Sequence, residues 1–113
     1  MKTSYFANQA ATLDPKSVSI ARWPPRSWGP RRRYIALAPS IDLLNRSKAG
    51  LPWPKYVEEY KRDVLGKLDP VKVSADLGPD AILLCYEGPG EECHRRLVAE
   101  WLEQALDVKI PEL

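Results

Sequence analysis

Ala81-Ile82-Leu83-Leu84-Cys85-Tyr86-Glu87-Gly88-Pro89-Gly90-Glu91-Glu92-Cys93-His94-Arg95-Arg96 is the stretch that decides the fold class. Ala81 to Tyr86 is continuously apolar, the pattern of a central strand buried on both faces. Gly88-Pro89-Gly90 then turns the chain. From about Glu91 to Leu106 the pairs Leu97/Val98, Trp101/Leu102 and Ala105/Leu106 recur at helical spacing, which predicts an amphipathic helix. A buried strand leading into such a helix is one unit of a layered α/β fold.

Upstream, Thr3 to Phe6 and Ser17 to Arg22 read as short strands, the second ended by Pro24-Pro25, which cannot donate to a sheet ladder. Ala7 to Lys16 reads as a polar connection with a turn at Asp14-Pro15. Tyr34 to Ala38 is a brief apolar run with strand character. Helices are expected over Ser40 to Lys48 and from Pro54 to about Lys67, the latter on a face of Val57, Tyr60, Val64 and Leu68. Another follows Asp69-Pro70 and ends at Gly78, and Val108 to Ile110 reads as a last short strand. Alternating strands and helices predict an α/β class: a small layered domain with a mostly parallel sheet flanked by helices. An α+β arrangement is the alternative. The 113 residues are expected to form a single domain, 1–113.

Hydrophobic residues at 44% and charged residues at 28% describe an ordinary globular chain and exclude wholesale disorder. No apolar run approaches the ~20 residues of a membrane-spanning helix, so no membrane partner is expected. Met1 to Ser17 has no continuous apolar core of a secretory signal, and two cysteines do not make a disulfide framework. Both points predict a cytoplasmic protein with reduced thiols. The net charge is only +2, yet residues 22–34 carry Arg22, Arg26, Arg31, Arg32 and Arg33 and no acid. Trp23, Trp28 and Tyr34 are interleaved with them. Arginine binds phosphate bidentately and aromatics stack on bases, so this loop is a candidate nucleotide or nucleic-acid footprint. In the opposing reading, the tryptophans pin a loop to the core and the arginines pair with acids of the 58–63 helix.

Extending the helical stripe one turn back from Leu97/Val98 reaches His94 and Arg95, not Arg96. These two should point inward, beside Cys85, Glu87 and Cys93, at the carboxyl end of the sheet where α/β proteins bind ligands. Cys85 reads as a small core residue. Cys93, at a helix N-terminus next to His94 and Arg95, is placed for a lowered thiol pKa and is a candidate nucleophile. His94 is the candidate proton carrier, and Glu87 either orients an arginine or acts as a base. Cys85, Glu87, Cys93 and His94 do not follow a usual zinc spacing, so neither a metal nor another cofactor is expected. The cysteine–arginine spacings, too short from Cys93 and too long from Cys85, also exclude a phosphatase-type cysteine loop.

The run Leu83-Leu84-Cys85-Tyr86-Glu87 followed by Cys93-His94-Arg95 resembles the signature of the domain of unknown function 488 family, an apolar strand ending in Cys-x-Glu and then Cys-His-Arg. Arg22, Pro25 and Ser27 are similar to its second feature, a strand ending in arginine followed by proline and serine, although Ile20 stands where the family has an acid. The resemblance covers the first and last thirds of the chain. It implies an α/β fold and one shared pocket built from Arg22, Glu87, Cys93, His94 and Arg95, and it names no reaction. The expectation is therefore a pocket for a phosphate-bearing ligand such as a nucleotide or nucleic acid. Glu87, Cys93 and His94 would do chemistry there, and Arg22, Arg26, Ser27 and Arg95 would bind. A nucleic-acid-binding module using the arginine-rich loop and a thiol redox sensor using Cys85 and Cys93 are the alternatives.

Overall fold

The computed structural model describes residues 1–88 and 91–113. Strands β1 (Lys2–Tyr5), β2 (Ser17–Ser19) and β3 (Ile82–Cys85) form one sheet in the order β1-β3-β2, with both pairings parallel. The strand expected to be buried on both faces is the central one. Its alternation supplies both layers. Ile82 and Leu84 pack with Ala11 and Trp28 on one side, and Leu83 and Cys85 join the larger core on the other.

Among the described residues five α-helices accompany the sheet, α1 and α5 packing directly on it: α1 (Gln9–Leu13), α2 (Ile41–Lys48), α3 (Trp53–Asp63), α4 (Pro70–Leu77) and α5 (His94–Leu106). The chain is thus an α/β domain. Ser40 caps α2 by accepting from the Leu43 amide, and Asp69 caps α4 by accepting from Val71. Pro54 and Pro70 stand in first turns, where the missing N–H costs nothing. Gly78, with φ +87°, ends α4 in a conformation that a side chain would strain.

Four local expectations need correction. Residues 7–16 contain a short helix, α1, because the Asn8 side chain caps the Ala11 amide and Ala11 buries against Trp28. Tyr34 to Ala38 is not a strand. Only Arg33 bridges to Ser19, after which Ile35–Leu37 close a 3-10 turn on their own carbonyls ahead of Pro39. Val108 to Ile110 forms no strand either; the bridge falls later, where Glu112 lies beside Thr3 of β1. The last helix begins at His94 rather than Glu91, with Cys93 in the extended cap position.

Parallel strands bring their carboxyl ends to one edge. Residues 20–23 after β2, residues 86–88 after β3, and the first turn of α5 all meet there.

Candidate functional site

At that edge lies a cavity of about 630 Å³. Its floor is Cys85, Cys93 and His94, at the end of β3 and the start of α5. Arg22 and Trp23 enter from the segment after β2, and Tyr86 and Glu87 from the segment after β3. Lys48 of α2, Trp53 and Tyr56 of α3, and Glu92 also line it. This volume is the size of a small-molecule site.

His94 is buried, and its Nε2 lies 2.8 Å from the Ile20 carbonyl oxygen. A carbonyl only accepts, so Nε2 carries the proton and Nδ1 keeps its lone pair. Burial pushes the imidazole pKa down to about 4, the Ile20 hydrogen bond opposing the shift and Arg95 adding to it. The ring is therefore neutral at pH 7. Its Nδ1 faces Cys93 Sγ at 3.9 Å. Tyr60, Tyr56 and Trp53 stack in series behind it, with Trp53 and Tyr56 centroids 4.9 Å apart and Tyr60 edge-on to His94 at 5.6 Å.

The expectation of two free thiols is not met. The Cys85 and Cys93 sulfurs are joined, with their Cα atoms 7.2 Å apart. Cys93 is also more buried than a helix N-terminus implied, and Arg95 reaches the other sulfur, Cys85 Sγ, at 3.2 Å.

Arg95 points inward as the stripe predicts, but away from the cavity. Its Nε and Nη2 donate to the Glu112 carboxylate, the shortest contact being 2.7 Å. Nη1 donates to the Glu87 carbonyl and Nη2 to that of Gly88. It is a buried clamp that fastens the loop after β3 to the C-terminal segment. The shared site of Arg22, Glu87 and Arg95 guanidinium is therefore not formed: Arg22 and Glu87 line the cavity and Arg95 holds the loop behind it. Burial raises the Glu112 pKa, but hydrogen bonds from Arg95 and Thr3 outweigh it and hold the carboxyl below its ordinary value.

The arginine-rich loop is tied down by its own groups. Trp28 is buried, and its indole N–H donates to the Arg32 carbonyl. Arg31 lies over the Trp28 ring at 4.2 Å and donates to the Thr12 carbonyl and Ser17 hydroxyl. Arg32 donates to the Leu77 and Asp76 carbonyls at the end of α4. The partners are main-chain carbonyls and the Ser17 hydroxyl rather than acids of the 58–63 segment, whose Glu59 pairs with Arg46 instead. Arg32→Ala should therefore cost about 0.5–1 kcal/mol in urea unfolding, the net worth of hydrogen bonds to two helix-end carbonyls that water can partly replace. An unchanged midpoint would show that the guanidinium caps nothing. Arg26 and Ser27 are exposed in a 3-10 turn and do not line the cavity.

A family model described as the active DUF488-N3 subclade matches residues 4–106. The chain belongs to the DUF488 family. No curated protein and no solved structure matches it. In this DUF488 chain the Cys-x-Glu and Cys-His-Arg segments divide their labour: Glu87, Cys93 and His94 face the cavity, while Arg95 secures the loop that carries Glu87. Lys48, Trp53, Tyr56 and Glu112 are not candidates on sequence alone. Trp53 between two prolines was the one visible signal, because a flanked tryptophan is held rigidly. Glu112 offered none, since its partner lies 17 residues away.

Proposed function

We propose that the DUF488 chain binds a small phosphate-bearing ligand with a flat ring, a nucleotide in the simplest case, in the cavity at the carboxyl edge of the sheet. The observation that carries this reading is the joint lining of one cavity by Trp23 and Trp53, by Arg22 and Lys48, and by His94 with its Nδ1 lone pair free. Indole faces stack on bases in a sequence-tolerant way. Arg22 spends its Nε on the Pro39 carbonyl at 3.0 Å, and its two Nη groups have no partner among the described residues. They suit a phosphate. Glu87 and Glu92 supply acceptors for the ring's amino or imino groups. His94, neutral near pH 7, accepts a hydrogen bond at Nδ1.

Calorimetric titration separates this from a generic apolar pocket. A nucleoside 5′-monophosphate should bind at least about 10-fold tighter than its nucleoside, about 1.4 kcal/mol, and Arg22→Ala should abolish the difference. Equal affinity for both would remove phosphate from the proposal. Nucleic-acid binding through residues 22–34 is less favoured, because Arg31 and Arg32 are already engaged with main-chain carbonyls.

The joined sulfurs favour a second reading, a thiol switch on the cavity floor. Two thiols would give two protons and two electrons to a disulfide oxidant, which leaves as two thiols. Reversible loss of both alkylation sites in a glutathione redox buffer would support it; persistent labelling of both would exclude it.

A further inference from the structure

We infer that, with both cysteines reduced, Cys85 Sγ, Cys93 Sγ and His94 Nδ1 form a three-residue site for a borderline-soft divalent metal ion, zinc in the first instance, with its fourth position open to the cavity. This goes beyond nucleotide binding and stands whether or not a nucleotide binds.

Three observations carry it. The three potential ligand atoms lie within 4.8 Å of one another and all three residues are buried, so the donor set is assembled by the fold. Two thiolates and an imidazole are also the donor set of a known class of catalytic zinc site, in which the fourth position holds water or substrate. Second, the histidine is oriented as a ligand. Its Nε2–H is held by the Ile20 carbonyl at 2.8 Å, which leaves Nδ1 as the free donor, and Cys93 Sγ lies 3.9 Å from it. Metal-bound histidines almost always have their other ring nitrogen anchored in this way. Bond lengths of roughly 2.0–2.3 Å put two ligands of one tetrahedral zinc about 3.5 Å apart, close to that separation. Third, the Cys85 and Cys93 Cα atoms are 7.2 Å apart, wider than the roughly 4.4–6.8 Å usual for a disulfide. Once reduced, the thiols have room to part around an ion.

The adjacency of Cys93 and His94 argued against a metal in sequence, because neighbours on a helix diverge. Cys93 is not helical. As the extended cap residue, with φ −146° and ψ 144°, it sends its side chain back toward the imidazole of the first helical residue. All three residues line the cavity, so an ion there would meet whatever the cavity binds. Each ion bound replaces two thiol protons, which pass to solvent.

The test uses full-length protein kept reduced by a phosphine without oxygen, with Co²⁺ as the spectroscopic probe. One equivalent should give the strong visible bands of tetrahedral cobalt and a near-ultraviolet thiolate charge-transfer band, with about two protons released. Stoichiometric Zn²⁺ should erase both bands. Cys85→Ser and Cys93→Ser should each weaken binding by more than about 100-fold, the upper range seen for losing only an outer-shell partner. His94→Gln should also weaken it and shift the visible bands. In wild-type protein, which needs no variant to fold, Zn²⁺ should slow alkylation of both cysteines together. A weak octahedral cobalt spectrum without a charge-transfer band, or alkylation rates indifferent to Zn²⁺, would overturn the site.

Discussion

Arg95→Met should lower the unfolding free energy by about 3–5 kcal/mol, a large part of the 5–15 kcal/mol typical of a small domain. The side chain is 1% exposed and donates to the Glu112 carboxylate, the Glu87 and Gly88 carbonyls and Cys85 Sγ. Methionine fills most of the volume but satisfies none of these acceptors. A half-buried carboxylate and two carbonyls lose their donor, and unsatisfied groups cost more than hydrogen bonds gain. The companion substitution Glu112→Gln removes the uncompensated charge, so the double variant should be less destabilised than the sum of the two single ones. Urea unfolding of the four proteins measures that coupling directly. Additive losses would mean that the pair is not a unit.

The second large effect is on pH. His94 titrates near 4 in the folded chain against an ordinary 6.5, mainly because it is buried. Above pH 6.5 both states are neutral and nothing is lost. Below it the unfolded chain takes up a proton that the native histidine refuses, so stability falls as pH falls and levels off only below the folded value. A gap of roughly 2.5 pH units, at about 1.4 kcal/mol each, comes to about 3.5 kcal/mol. Metal-free protein should lose this between pH 6.5 and 4. His94→Gln, whose amide can still donate to the Ile20 carbonyl, should be nearly flat from pH 6.5 to about 5. Below that the wild type and the variant alike lose further stability as Glu112, held below its ordinary pKa, is protonated. A wild-type curve flat from pH 6.5 to 5 would contradict the burial of a neutral imidazole.

The parts of the fold legible in the sequence are those that local chemistry decides. Ala81 to Tyr86 reads as a central strand because nothing polar interrupts it. Asp69-Pro70 and Ser40 mark helix starts because caps and first-turn prolines act within four residues. The inward direction of His94 and Arg95 follows from one turn of helical geometry. What those side chains meet does not follow. Arg95 finds Glu112, an acid carried to β1 by the C-terminal segment, and so becomes a clamp instead of a ligand-binding group. Trp53 and Lys48 reach the cavity only through the packing of α3 on α5 and of α2 on α3. Tyr34 to Ala38 has strand composition, but Pro39 follows it and the turn closes on its own carbonyls. Arg31 and Arg32 looked like phosphate binders because sequence shows charge and hides the carbonyls waiting for it.

Two-dimensional NMR of the four tryptophan indole N–H groups tests the central claim most directly. Trp23 and Trp53 line the cavity, whereas Trp28 is buried on the opposite face of the sheet and Trp101 lies on α5 beside Leu65 and Leu97. Titration with a nucleoside 5′-monophosphate should move the Trp23 and Trp53 resonances together, saturably, and leave the other two in place. Resonances that stay still, or shifts confined to Trp28 and Trp101, would contradict a nucleotide site at the carboxyl edge of the sheet.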